Sequence, residues 1–199
     1  MPTPLQSMAL TKKARRMLAL MDRATNLWSI PVVGRAKGRL IRRLIERHRP
    51  TRALEIGSLL GYSAILIAGS MPPRGRLTCL EANEFLAWLV KANVETAGLA
   101  RRVRVVASEA LRAIPMLPGR LDFVLLDADK NDYLDYLRQL EPKLVPGAVV
   151  VADNTGFYRR ELASYLEHVR TPGGRYASRA YAFGDDAMEV SIVRGAGPT

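Results

Sequence analysis

The sequence predicts an α/β domain built on a parallel sheet, and three observations carry that reading. Phe123-Val124-Leu125-Leu126 and Val149-Val150-Val151 are short apolar runs, of the kind buried on both faces of a parallel sheet. Between them, Asn131 to Lys143 sets Tyr133, Leu134, Leu137 and Leu140 at helical spacing, which makes a strand–helix–strand unit with a parallel crossover. Upstream, Ala53-Leu54-Glu55-Ile56 runs through Gly57 to Gly61-Tyr62-Ser63 and into a helix ending near Ala68. Strand, glycine turn and helix form the opening of a Rossmann-like nucleotide-binding sheet.

The other elements follow in chain order. Residues 1 to 30 read as irregular helix, with Met17, Leu18, Leu20, Met21, Leu27 and Trp28 apolar, until Ile30-Pro31-Val32-Val33-Gly34 breaks it. A second helix spans about Ala36 to His48. Leu40, Ile41, Leu44 and Ile45 form its buried face, and Arg39, Arg42, Arg43 and Arg47 its solvated one. Leu77 to Leu80 is a strand ended by Glu81, Glu84 to Ala97 a helix, and Val103 to Val106 a strand followed by Ser108-Glu109-Ala110. After Asn154 the pattern gives a helix from about Arg160 to Val169. A strand pair, Tyr176 to Ala182 and Met188 to Val193, joined through Gly184-Asp185-Asp186, closes the chain; Gly195 to Thr199 is expected to fray.

Bulk properties narrow the class. A chain of 199 residues with one cysteine, Cys79, is read as a single domain without a disulfide. Residues 1–50 would be covering helices and 51–195 the core. His48 and His168 stand far apart with no second soft ligand near either, which argues against zinc. No apolar run approaches the roughly 20 residues that span a bilayer, and basic residues interrupt the N-terminal stretch, so the cytoplasm is the default location. Residues 1 to 52 hold 13 of the 30 Lys and Arg but 2 of the 19 Asp and Glu. The whole excess of +11 therefore belongs to the first quarter of the chain. This means either an acidic partner or the solvated face of covering helices.

The chemistry gathers where strands end. Asp127-Ala128-Asp129-Lys130 follows the first apolar run and Asp153-Asn154 the second. Ligands of such sheets bind beyond the carboxyl ends of the strands, so Asp127, Asp153, Asn154 and Lys130 should converge. Two carboxylates and an amide carbonyl suit Mg²⁺ or Ca²⁺. An Asp after a strand is also a helix cap, and Asp-Asn is ordinary turn chemistry; it is the pairing, with a lysine in reach, that favours a metal. Glu81, at the end of its strand, could accept ribose hydroxyls or serve the following helix N-terminus. The missing middle glycine between Gly57 and Gly61 disfavours a pyrophosphate but not a phosphate-free nucleoside.

Taken together, Leu54-Glu55-Ile56-Gly57, Gly61-Tyr62-Ser63, Glu81, Asp127-Ala128-Asp129-Lys130 and Ala152-Asp153-Asn154 resemble the metal-dependent O-methyltransferases, the family of the catechol and caffeoyl-coenzyme A enzymes. Val33-Gly34-Arg35-Ala36-Lys37-Gly38 looks more like the catechol branch, and the Asp-Ala-Asp-Lys and Gly-Asp-Asp forms more like the bacterial and caffeoyl-type branch. The resemblance covers about residues 30 to 195. It implies a seven-stranded sheet with its last strand antiparallel and helices on both faces. It implies S-adenosylmethionine as methyl donor, lined by Val33, Glu55, Gly57, Ser58, Ser63, Glu81, Ser108, Glu109, Ala110 and Asp127. Asp127, Asp153 and Asn154 would hold Mg²⁺, or Ca²⁺ or Mn²⁺ in its place, and Lys130 would be the catalytic base. The expected acceptor is a small dihydroxy aromatic, and bacterial relatives suggest a homodimer. The acceptor pocket would draw on Trp28 to Val33, Thr155 to Tyr158 and Gly184 to Ala187, with Trp28 and Tyr158 either stacking on an aromatic ring or serving as core or interface residues.

A phenol of pKa about 10 needs help to ionise at neutral pH, which a divalent cation and a base can give. Three rivals stand beside this reading: methylation of RNA or another acidic macromolecule through the basic segment, a nicotinamide enzyme, and a binding module that keeps the fold without the chemistry. No aromatic-interleaved basic motif supports the first, so nucleic acid is disfavoured as a partner.

Overall fold

The computed structural model describes residues 10–195. The expectations for residues 1–9 and for the frayed end at 196–199 lie outside them. In chain order the elements are α1 (Lys12–Trp28), α2 (Gly34–His48), β1 (Arg52–Ile56), α3 (Tyr62–Ser70), β2 (Arg76–Glu81), α4 (Glu84–Thr96), β3 (Val103–Ala107), α5 (Ala110–Ala113), β4 (Leu121–Leu126), α6 (Tyr133–Leu140), β5 (Leu144–Ala152), α7 (Ala163–Arg170), β6 (Tyr176–Phe183) and β7 (Asp186–Val193). The helix expected over Asn131 to Lys143 is shorter, because each end tightens into a 3₁₀ turn, Lys130–Asp132 and Glu141–Lys143. Pro142 sits inside the second turn and cannot continue an α-helix.

The seven strands form one sheet in the order β3-β2-β1-β4-β5-β7-β6. β1 to β5 pair in parallel, and β7 runs antiparallel to both of its neighbours. Successive residues of the central strands serve opposite faces. Phe123 and Leu125 pack with α1 to α4, while Val124 and Leu126 pack with α5 to α7. Every one of these four side chains is fully buried, which explains why β4 reads as a continuous apolar run rather than an alternating one. Cys79 lies in the first of these layers, where burial pushes its thiol up and leaves it inert.

Side-chain caps start α1 and α4. Thr11 caps α1 by accepting the Ala14 N–H, and Asn83 caps α4 by accepting that of Leu86. Glu81 is therefore not the cap of α4. On α2 Leu40, Ile41, Leu44 and Ile45 are buried as expected, and of the solvated face Arg39, Arg43 and Arg47 are exposed and Arg42 half-buried. No helix among the described residues is long and apolar enough to cross a membrane.

Candidate active site

The parallel ladder extends one residue beyond each strand, and those residues build the site. Gly57 N–H donates to Leu80 O at 2.9 Å, Asp127 N–H to Ile56 O at 2.9 Å, and Asp153 N–H to Leu126 O at 3.0 Å. Gly57, Asp127 and Asp153 are thus pinned at one edge of the sheet. Gly57 has φ 83°, and a Cβ there would stand 2.3 Å from the Asp127 carbonyl oxygen. Only glycine lets β1 turn away so close to the end of β4. Asn154 has φ 61°, a left-handed conformation that asparagine tolerates better than most residues.

A cavity of about 1040 Å³ opens at this edge. It is lined by Val33, Gly57, Ser58, Ser63, Glu81, Ser108, Glu109, Ala110, Asp127, Lys130, Asp153 and Asn154, so twelve of the thirteen expected site residues meet in one place. Glu55 is the exception. Fully buried, it lies outside the lining and accepts the Ser58 hydroxyl at 2.6 Å, and burial raises its pKa. The inward alternation of β1 carries it beneath the glycine turn, so it supports the wall from behind. Glu81 Oε2 accepts the N–H groups of Ser58 and Leu59, each at 3.0 Å. The carboxylate thus fixes the turn from the neighbouring strand.

The polar centre is a connected network. Lys130 Nζ meets Asp127 Oδ1 at 3.2 Å and the Tyr133 hydroxyl at 2.9 Å. Lys37 Nζ, from α2, bridges Asp153 Oδ1 at 2.5 Å and Asp186 Oδ2 at 2.6 Å. Burial pushes Asp127 up to about 7, helped by the charge of Asp153, and it raises Asp153 as well. Burial works against the Lys37 ammonium, but Asp153 and Asp186 together outweigh it and raise its pKa. Asp186 goes the other way: burial is overcome by bonds from Lys37, Asn154 and backbone N–H groups, which hold it at about 2.

The sequence assigns Lys37 no role of its own, and it places Asp186 only within the Gly184 to Ala187 turn expected at the acceptor pocket. Lys37 carried a signal, since it stands three and four residues before Leu40 and Ile41 and so shares the buried face of α2. Of the segments expected around an acceptor, Pro31, Val32, Val33, Phe157 and Tyr158 line the cavity, while Gly184 to Ala187 and Trp28 lie outside the lining, Trp28 being 72% exposed. Trp28 is accordingly not a core residue of the described chain.

Among the described residues no three His, Cys, Asp or Glu side chains gather as metal ligands. A cation at Asp127 and Asp153 would need the Asn154 amide as its third protein oxygen. The donors suit that role. Asn154 Nδ2 is taken by Asp186 at 2.9 Å, which leaves the carbonyl oxygen for a cation. Asp153 Oδ1 takes Lys37 and the Asn154 N–H, which leaves Oδ2. Asp153 is buried and Asp127 half-buried, loss of water raises both pKa values, and a hard divalent ion would favour their charged forms.

Comparison with known proteins agrees with this geometry. A family model described as O-methyltransferase matches residues 9–164. Catechol O-methyltransferase of Sus scrofa is 32% identical over 177 residues, covering 83% of this chain and 94% of that protein. The catechol O-methyltransferases of Niastella koreensis and Mycobacterium tuberculosis are 33% and 40% identical, but the matched region spans only 55% and 47% of their lengths. An O-methyltransferase of Streptomyces achromogenes involved in tomaymycin synthesis, solved in complex with SAM, superposes with TM-score 0.81 at 25% identity, covering 94% of this chain and 92% of that one. One from Bacillus cereus, solved in complex with SAH, gives 0.80 at 25% identity and 92% coverage of each chain. The chain belongs to the O-methyltransferase family.

Proposed function

We propose that this chain transfers a methyl group from S-adenosylmethionine to a hydroxyl of a small catechol-like aromatic, with a divalent cation, Mg²⁺ foremost, as cofactor. The observation that carries the reading is the meeting of Asp127, Lys130, Asp153 and Asn154 with Gly57 and Glu81 in one cavity. The relatives titled catechol O-methyltransferase and the neighbours solved with SAM or SAH support it.

Each residue has work to do. Gly57 and Ser58 let the donor approach the backbone, Glu81 offers a carboxylate to its ribose, and Ser108 to Ala110 border its base. Asp127, Asp153 and the Asn154 carbonyl would hold the cation, whose charge favours a phenolate over a phenol of pKa about 10. Lys130, once neutral, accepts the acceptor's proton at Nζ. The phenolate oxygen then forms its bond to the methyl carbon as the carbon–sulfur bond breaks, and the pair of electrons leaves with sulfur as a neutral thioether. Phe157 and Tyr158 present an aromatic wall to the acceptor ring.

The lining also bears on the class of acceptor. Among the described residues the cavity wall holds no arginine; its cations are Lys37 and Lys130, both paired with carboxylates. A coenzyme A ester or a polynucleotide would find no free positive charge there. The basic excess sits instead on the exposed sides of α1 and α2. A neutral catechol fits the wall best.

A methylation assay on catechol tests the proposal, with product read by mass spectrometry. Activity should need added Mg²⁺ and fall to background with chelator or in Asp153→Ala. Undiminished turnover under either condition would refute the metal-dependent reading.

A further inference from the structure

We infer that Asp186, the first residue of β7, is the positioning residue of this site: one carboxylate sets both the Asn154 amide and the wall formed by Phe157 and Tyr158. What those two groups do rests on the methyltransferase reading above; that they are held together rests on geometry. Oδ2 accepts the Lys37 ammonium at 2.6 Å and the Asn154 side-chain NH₂ at 2.9 Å. Oδ1 accepts the backbone N–H groups of Gly156 and Phe157, each at 3.2 Å. Donors from α2, from the end of β5 and from the following loop therefore converge on one residue that is 5% exposed. The antiparallel course of β7 makes this possible, because it brings the start of that strand to the edge where β4 and β5 end.

The bond to Nδ2 decides which way the Asn154 amide faces. Turned over, its carbonyl oxygen would meet the Asp186 carboxylate, acceptor against acceptor. The carbonyl is thus kept away from Asp186 and offered to a hard cation. The wall is held by the same side chain and by the backbone next to it. Thr155 N–H donates to Ala187 O at 2.9 Å, and a Cβ on Gly156 would lie 2.7 Å from Asp186 Cα. The loop leading to Tyr158 therefore lies directly on the first turn of β7. Lys37 completes the arrangement by sharing its ammonium between Asp186 and Asp153.

The test compares the parent chain with Asp186→Asn, which keeps the shape and removes the charge, and with Asp186→Ala. Three readouts are taken: Mn²⁺ affinity by electron paramagnetic resonance, amide hydrogen exchange over residues 155–158, and KM and kcat with catechol. S-adenosylhomocysteine binding, which draws on β1 and β2, should be unchanged and reports that each variant is folded. Loss of a group that orients a ligand weakens metal binding by roughly 10–100-fold, and that is the expected fall in Mn²⁺ affinity. Exchange at Gly156 and Phe157 should quicken, and KM for catechol should rise more than kcat falls. Parental Mn²⁺ affinity together with parental exchange in both variants would overturn the inference. A parent chain that takes up no Mn²⁺ would instead overturn the metal reading, and the exchange data would still decide whether Asp186 holds the wall.

Discussion

Lys130 Nζ lies 2.9 Å from the Tyr133 hydroxyl, which itself donates to the Leu126 carbonyl at 2.9 Å. Burial pushes the Tyr133 phenol up, so it stays neutral and keeps the proton it donates. A fully buried side chain on α6 thus fixes the lysine through the last carbonyl of β4. Tyr133→Phe should lower turnover while sparing donor affinity. It should also cost about 0.5–1.5 kcal/mol of stability, the net value of one hydrogen bond, because the Leu126 carbonyl keeps the Asp153 N–H. Lys130→Ala should cut turnover further, by about 10²–10⁴-fold as for loss of a general base, again without weakening S-adenosylhomocysteine binding. Steady-state kinetics beside calorimetric titration separates the two effects, and equal losses in both would remove Lys130 from the base role.

Gly57→Ala should damage the donor half of the site. The new methyl group would fall 2.3 Å from Asp127 O at a residue with φ 83°. Denaturant unfolding should show a loss exceeding about 1 kcal/mol, the scale of such a substitution at positive φ. S-adenosylhomocysteine binding should weaken in parallel.

Stability should depend on pH in a direction that metal reverses. Burial and Asp153 push Asp127 up to about 7, whereas an unfolded chain holds it near 3.9. The folded form then binds more protons between these values, so metal-free stability falls as pH rises from about 4 to about 7. On the proposed reading Mg²⁺ would bind the deprotonated folded site, so it should raise the melting temperature more at about pH 8 than at about pH 5.5. Melting curves at the two pH values, with and without Mg²⁺, check this. An equal Mg²⁺ effect at both would exclude Asp127 as a ligand.

A fourth expectation concerns the scaffold alone. Glu189 on β7 is fully buried and takes a two-pronged bond from Arg170, at 2.9 and 2.6 Å. Arg170→Ala leaves that buried carboxylate the Ser178 hydroxyl at 2.8 Å but no counter-charge, and should cost about 3–5 kcal/mol. Donor and Mn²⁺ affinities measured well below the lowered melting temperature should match the parent, since no site residue touches the pair.

Strand ends were legible in the sequence because β4 and β5 are buried on both faces and end abruptly in Asp127 and Asp153. Burial and chemistry there speak through the same residues. Lys37 was not legible in the same way. Helical spacing sets Lys37 on the buried side of α2, but the counter-charges that give it a place there, Asp153 and Asp186, come from distant parts of the chain. Glu55 differs from its neighbours in another way: Ile56, Gly57 and Ser58 line the cavity, but strand alternation carries its own side chain beneath the wall. Asn83 displaced Glu81 as the cap of α4 because cap choice depends on backbone angles that composition does not encode.

The order of the strands divides labour across the sheet. On the proposed reading, residues following β1, β2 and β3 border the nucleoside, whereas those following β4 and β5 face the acceptor, with Asp186 of the reversed β7 bonded behind them. Exchanges at Phe157 and Tyr158, which line the cavity beyond β5, would therefore remodel acceptor choice without disturbing the nucleoside half. Diversity of substrate can accumulate on one flank of this architecture while the other stays constant.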